Sequence, residues 1–249
     1  MKNILVVGEC CYDTFVYGDC DRMSPEAPVP VFLPKSESVN LGMAGNVFMN
    51  LSSLSLPEER IDLLSSPQWK KVNKVRYVDD RANHMFIRVD HNDEAFERVD
   101  VSEIDYDSYS AIVISDYDKG VLLEEDIAYI ADHHPLTFLD TKKRLGEWVS
   151  NISYIKLNTY ESRYNIPSSL AEKISHKLIS THGPDGCFFK GKTFPVDKVN
   201  IKDVAGAGDT FLAGLVYSYL KSKDIEVAIK EANNYATEVV QRRGVTTPK

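Results

Sequence analysis

The sequence predicts an α/β protein, a doubly wound and mostly parallel sheet flanked by helices, with a small β-sheet lid. Three observations predict it: short apolar runs recur, stretches of helical spacing separate them, and two alternating segments interrupt the order. The runs at residues 4–7, 111–114, 136–139, 154–157 and 178–180 are largely apolar, as strands buried on both faces require. Between them Ala44, Val47, Phe48, Leu51 and Leu54 keep a helical stripe, as do Ile127, Ile130 and Ala131. The clearest helix is the last. Ile225, Ala228, Ile229, Ala232, Tyr235, Ala236, Val239 and Val240 share one face, with Asp224 as N-cap and Gly244 as the expected stop.

The interruptions lie at about residues 14–40 and 72–90. The first carries Pro25, Pro28, Pro30 and Pro34 among Val29, Val31 and Phe32, and the second alternates like half-buried strands. Proline suits edge strands, so both segments read as a small sheet standing off the main body. Residues 52–71 are rich in Ser and Pro and read as a connection. The whole of residues 1–249 is expected to form one domain with this lid.

Composition excludes several classes. The 249 residues are 43% hydrophobic and 27% charged, with 29 Lys and Arg against 37 Asp and Glu, a net charge of −8. That is ample for a buried core, and the acidic balance disfavours sequence-independent nucleic-acid binding. No apolar run is long enough to span a bilayer, and residues 4–7 are too few for the core of a signal peptide. Cys10, Cys11, Cys20 and Cys187 have neither the density of a disulfide framework nor zinc spacing. The reading is a reduced, soluble, cytoplasmic protein.

One motif carries chemistry. Asp203-Val204-Ala205-Gly206-Ala207-Gly208-Asp209-Thr210 precedes the apolar stretch Phe211-Leu212-Ala213-Gly214-Leu215. Glycines around one alanine allow a tight bend, and a helix that follows aims free N–H groups and its positive end at that bend. Such a turn holds a phosphoryl group, and Asp209 beside it could take a proton from an attacking hydroxyl. Spacing alone does not separate this from a helix packed close on a strand with Asp209 as its cap.

The segment resembles the signature of the ribokinase-like carbohydrate kinases. Gly8-Glu9-Cys10-Cys11-Tyr12-Asp13, Tyr17-Gly18-Asp19 and Ser24-Pro25-Glu26-Ala27-Pro28-Val29-Pro30 are similar to one branch, the heptose 7-phosphate kinases. Leu41-Gly42-Met43-Ala44-Gly45-Asn46, Arg88-Val89-Asp90, Ser115-Asp116-Tyr117-Asp118-Lys119-Gly120, Asp140-Thr141-Lys142 and Asn158-Thr159-Tyr160-Glu161 follow that branch in order. The resemblance implies an ATP-dependent kinase that phosphorylates the anomeric hydroxyl of a heptose 7-phosphate or similar sugar phosphate. It gives Asp209 the role of base and Gly206, Ala207 and Gly208 the anion hole. Asn158, Glu161, Thr181, Gly183, Gly186 and Asn233 fall to the nucleotide, with Mg²⁺ near Glu161 through water. Asp13, Gly42 and Asn46 fall to the sugar, and Asp203 to a monovalent cation such as K⁺. Arg88, Lys119 and Lys142 are candidates for the substrate's phosphate. A homodimer through the lid, without nucleic acid or membrane, is the implied assembly. Some relatives carry a fused nucleotidyltransferase domain; the chain ends soon after the last helix, so none is expected.

Two departures keep a kinase for another sugar, or a relative that binds without turnover, open at this point. Met43 replaces a family glycine, and its side chain is expected to point into the cleft. Residues 54–72 are also shorter than in relatives by a few dozen residues, including a strand.

Other signals weigh less. Gly186-Cys187-Phe188-Phe189-Lys190-Gly191-Lys192-Thr193 fits the Walker A pattern, but its apolar interior reads as a hairpin turning at residues 190–192. His133-His134 reads as a surface pair at a helix end, and Cys10-Cys11 as packing with one thiol in the core. Tyr17 and Tyr77 read as interface aromatics of the lid.

Overall fold

The computed structural model describes residues 3–55, 58–94 and 96–249. Its larger sheet has eight strands in the order β12-β11-β10-β9-β8-β7-β1-β4. The parallel strands are β1 (Ile4–Gly8), β4 (Ile61–Leu64), β7 (Ala111–Asp116), β8 (Thr137–Thr141), β9 (Tyr154–Asn158) and β10 (Leu178–Thr181). An antiparallel hairpin, β11 (Cys187–Phe189) and β12 (Lys192–Phe194), closes one edge. Lys190 and Gly191 turn it with φ of 46° and 77°, so the Walker-like string is a hairpin and not a phosphate loop.

Alternation along β1 divides the core. Ile4 and Val6 pack with helices α1 (Ala44–Leu54), α5 (Ala207–Ser222) and α6 (Ile225–Val239) on one face. Leu5 and Val7 pack on the other with α2 (Glu124–His133) and α4 (Ser168–Ile174). A short helix, α3 (Thr159–Tyr164), leaves the end of β9. No helix among the described residues is long and apolar enough to cross a membrane.

The lid is a four-stranded sheet, β3-β2-β5-β6, from β2 (Cys10–Met23), β3 (Pro30–Met43), β5 (Asn73–Asp79) and β6 (Met85–His91). Arg243 fastens it to the body: its guanidinium lies 4.2 Å from the Tyr17 ring and donates to Asn83 Oδ1 and the Asp79 carbonyl. Tyr17 therefore serves the contact between lid and body, while Tyr77 packs edge-on against Phe32 within the lid.

Several expectations are corrected. Residues 61–64 are a strand, not part of a connection, and pair in parallel with β1. The shortened segment thus still covers the edge that β1 would otherwise expose. Asp224 caps α6 through the N–H groups of Glu226 and Val227, but the helix ends at Val239. Gly244 (φ 71°) turns the chain later and is not the stop. His134 is buried, with ring nitrogens 2.9 and 3.0 Å from the carbonyls of Leu136 and Tyr109; only His133 is exposed. Cys10 and Cys11 are both buried, because β2 is covered on both faces where it leaves the body, and burial pushes both thiols up to about 12.

Met43 does not point into the cleft. It is 6% exposed and packs with Cys11, Val72, Phe96 and Tyr117, at φ 58° and ψ −134°. A left-handed backbone costs an L-residue about 1–2 kcal/mol, which glycine avoids. We therefore expect Met43→Ala to lower stability by about 2–5 kcal/mol through the cavity it leaves. Met43→Gly should lose less than Met43→Ala despite the larger cavity, because it relieves the backbone. Urea denaturation of both variants checks the order.

Candidate active site

In open α/β sheets ligands bind beyond the carboxyl ends of the strands, where the order of connection reverses. Here that point lies between β1 and β7, since the chain runs from β1 outward to β4 and then returns to β7. The anion turn lines a cavity at the same end of the sheet, with Tyr117 after β7 and residues from the ends of β8, β9 and β10. Gly206 is the N-cap of α5 at φ 79°, a conformation that glycine adopts without a Cβ penalty. No side chain caps α5, and with the Ala207 N–H donating to the Val204 carbonyl the N–H groups of Gly208 and Asp209 are left for an anion.

Asp209 sits in that first turn, 9% exposed. Its Oδ2 accepts a hydrogen bond from Asn46 Nδ2 at 2.8 Å, and its Oδ1 one from the Tyr117 hydroxyl at 3.0 Å. Asn46 is held in turn by Asn50, whose Nδ2 donates to the Asn46 carbonyl and Oδ1, and Thr210 donates to Asn50. Burial raises the Asp209 pKa above the ordinary carboxylate value, and the charge of Asp140 adds to that. Hydrogen bonds from Asn46 and Tyr117 and the charge of Lys156 oppose the rise. The result is a carboxylate more basic than usual, fixed at both oxygens.

Two cavities meet at the turn. A polar one of about 560 Å³ is lined by Tyr117, Asp140, Lys142, Lys156, Asn158, Asp209 and the backbone near Thr181, Gly183, Gly206 and Gly208. A second, of about 580 Å³, shares Thr181, Gly183 and Gly208 and runs on past Gly186, Ala207 and Asn233. Val196, Val199, Ile201, Val204 and Phe211 make it mostly apolar. Asn233 donates one amide N–H to the Phe194 carbonyl at 2.9 Å, which fixes it in the wall of this chamber. The arrangement suits a flat apolar ring in one chamber and its charged tail in the other.

Lysine 156 carries no motif, yet it stands at the centre of the polar chamber. It is 4% exposed, donates to Asp140 Oδ2 at 2.7 Å, and would lie 3.1 Å from a Cβ at Gly208. Burial works against its charge, but Asp140 first, then Asp209 and Glu161, hold its pKa above the ordinary lysine value. The signal was a lysine inside the apolar run Tyr154-Ile155-Lys156-Leu157. Glu161 accepts from the Asn158 N–H at 2.8 Å, and Asn158 Oδ1 accepts from Glu161 N–H, a reciprocal cap that opens α3. Lys142 bonds to Glu161. It therefore belongs to the polar chamber and stands apart from Lys119 and Arg88.

Those two lie with the lid. By register, Asp13, Lys74, Arg76 and Arg88 share one face of the small sheet. Arg76 pairs with Asp13, Arg88 with Asp90 at 2.8 Å, and Lys74 with Asp93 at 2.8 Å. Lys119 joins from the body at 2.7 Å from Asp93. Gly42 lies beside Asp13 on the neighbouring strand, where a Cβ would meet that side chain at 3.3 Å. Asp203 accepts from Ala205 N–H at 2.9 Å and Gly244 N–H at 3.1 Å, so it clasps the anion turn to the segment after α6.

Known proteins share this plan. The pfkB family of carbohydrate kinases matches residues 70–249. The bifunctional protein HldE of Helicobacter pylori strain J99 is 31% identical over 300 aligned positions, covering 98% of this chain and 64% of that protein. HldE of Aliarcobacter butzleri is 29% identical, with 98% and 62% covered. The chain thus spans a little under two thirds of the length of these relatives, and 249 residues cannot fill 300 positions, so the relatives carry insertions. Among solved structures, ribokinase of Thermotoga maritima has a TM-score of 0.70 at 15% identity, with 98% and 95% of the two chains covered. Arabidopsis thaliana ribokinase, solved with ribose and ATP, has a TM-score of 0.64 at 15% identity over 98% and 94%. At such identities the structural likeness speaks for the ribokinase-like fold. The sequence match covers well over half of the chain and includes Asp209 with its anion turn, and on that ground the chain belongs to the pfkB family of carbohydrate kinases.

Proposed function

We propose that this chain transfers the γ-phosphoryl group of ATP to the anomeric hydroxyl of a heptose 7-phosphate or similar sugar phosphate. The observation that carries the reading is Asp209, a buried carboxylate of raised basicity at an uncapped helix N-terminus where two cavities meet. In the transfer the sugar O–H bond breaks and its proton passes to Asp209. The sugar oxygen bonds to phosphorus as the bond to the ADP oxygen breaks. The N–H groups at Gly208 and Asp209, with the ammonium of Lys156, face the charge that spreads over the phosphoryl oxygens. The apolar chamber suits the adenine, and the residues from Asn158 to Gly186 line the path of the phosphates.

The donor set fits a Mg²⁺ ion. Among the described residues Asp140 Oδ1 is buried without a hydrogen-bond partner, and this carboxylate would hold the metal that neutralises the nucleotide phosphates, with Glu161, whose oxygens accept from Lys142 and the Asn158 N–H, reaching it through water. Each oxygen of Asp203 receives one N–H donor and keeps a lone pair that a monovalent cation such as K⁺ would use. The clasp itself also braces the turn.

The heptose assignment rests on the Ser24–Pro30 run and the ordered motifs that follow it, and the lid supplies a reason for a phosphorylated substrate. Lys119 and Arg88, with Lys74 and Arg76, set four cations against the three carboxylates Asp13, Asp90 and Asp93 on this side of the lid. A panel of sugars and sugar phosphates assayed with ATP for ADP release tests the reading. Turnover of heptose 7-phosphate well above the unphosphorylated heptose is expected, and Lys119→Ala or Arg88→Ala should raise its KM by roughly ten- to hundred-fold. Equal activity on the unphosphorylated sugar would defeat the assignment. The same lid exposes Leu33, Val39, Met85 and Ile87, which supports a homodimer formed lid to lid in a cytoplasmic protein. Light scattering should give twice the 28.1 kDa chain mass, and a monomer at high concentration refutes it.

A further inference from the structure

We propose that Tyr117 is a positioning residue for Asp209, and that Glu9 is the bracket that sets both donors to this carboxylate. The inference rests on the reading of Asp209 as the base and adds the means by which the base is aimed. An isolated carboxylate rotates about its last bond and turns its lone pairs away from a substrate for much of the time. Here one donor occupies each oxygen, Tyr117 at 3.0 Å and Asn46 at 2.8 Å, and the rotation is stopped.

Both donors trace back to one buried residue, Tyr117 to its side chain and Asn46 to its backbone. Glu9 is 0% exposed, between β1 and β2. Its carboxylate accepts from the N–H groups of Tyr117 at 2.7 Å, Lys119 at 3.0 Å and Val121 at 3.3 Å, which shapes the loop after β7. Its carbonyl accepts from Ala44 N–H at 2.8 Å and so fixes the start of α1, the helix that carries Asn46. No other chemistry in the site uses Glu9. The Tyr117 ring is wedged between the Met43 and Cys11 cluster and the ammonium of Lys142, 5.4 Å from the ring centre. Burial, then the charges of Asp209 and Asp140, keep the phenol pKa well above its ordinary value, so the hydroxyl remains a donor. The other groups that face Asp209 are Asp140 on β8 and Lys156 on β9.

Tyr117→Phe keeps the ring and removes only the donor. Two readouts follow: the acid limb of kcat for ATP and heptose 7-phosphate, and the titration of the Asp209 carboxyl by ¹³C NMR in the protein without substrate. A hydrogen bond to a charged group favours the charged form, so both midpoints should move up together by roughly one pH unit, with kcat near neutrality falling about ten-fold and KM for ATP unchanged. Glu9→Gln should also move the Asp209 midpoint up, although the loss of a negative charge alone would move it down. That opposite sign keeps the inference testable if Tyr117→Phe does not fold. Midpoints equal to wild type overturn it. A wild-type protein that phosphorylates no sugar sinks the kinase reading instead, while the NMR titration still decides the role of Tyr117.

Discussion

Asp209→Asn is expected to lower kcat by about 10²–10⁴ while ATP affinity stays within a few-fold. The carboxylate takes a proton in the reaction, which an amide cannot do, whereas the phosphate-facing N–H groups belong to the backbone of the same turn and remain. The variant keeps size and shape, but the donors Asn46 and Tyr117 both point at the replaced group. With the amide Oδ1 toward Asn46, the new NH₂ faces the Tyr117 hydroxyl, which can turn to accept from it, so the fold should lose little. Calorimetry with ATP separates binding from turnover: retained binding with lost turnover assigns the base, and near-normal kcat would sink it. The wild-type pH profile carries the same information. Burial raises the Asp209 pKa above the ordinary carboxylate value of 3.8. A base of raised pKa loses activity as pH falls through that raised value. The acid limb should therefore lie at higher pH than for an exposed aspartate.

Lys156→Met should cost stability as well as activity. Lys156 and Asp140 form a pair in which both partners are nearly or fully buried, at 4% and 8% exposure. Removing one partner of a buried ion pair leaves an uncompensated charge, and about 3–5 kcal/mol is typical for that. Folded domains are stable by only about 5–15 kcal/mol, so the variant should unfold at much lower urea concentration. Adding Asp140→Leu removes the orphaned charge and should restore part of the loss, though not the activity, because the ammonium facing Gly208 is still gone. A single variant within about 1 kcal/mol of wild type would show that Asp140 is solvated or protonated, and that the pair does not shape the chamber.

Much of this protein was legible along the chain. Short apolar runs and helical stripes gave the sheet and its flanking helices, since the period of two or 3.6 residues is set by the backbone of each element itself. The lid was legible from alternation and proline, and the hairpin at residues 190–191 from apolar flanks around a glycine turn. The anion turn and Asp209 were legible because their parts are contiguous, and the family match includes them. The edge strand at residues 61–64 is not legible along the chain because four residues beside a Ser- and Pro-rich stretch make too short a pattern. The end of α6 was misjudged because Gly244 marks a turn that the tertiary contact with Asp203 requires.

What the sequence by itself determined, then, was the fold class, the turn that holds an anion and the carboxylate beside it. The tertiary structure alone decided what surrounds that carboxylate. Asn46 and Tyr117 stand 163 and 92 residues from Asp209, Lys156 meets Asp140 across neighbouring strands, and Met43 turns from the cleft into packing. Local rules reach a few residues along the backbone, about one turn of helix or one strand pair. The partners of a buried polar group are chosen by which distant segments the sheet order brings to the same crevice. Burial then makes each such partner necessary, because a polar group removed from water without one is costly.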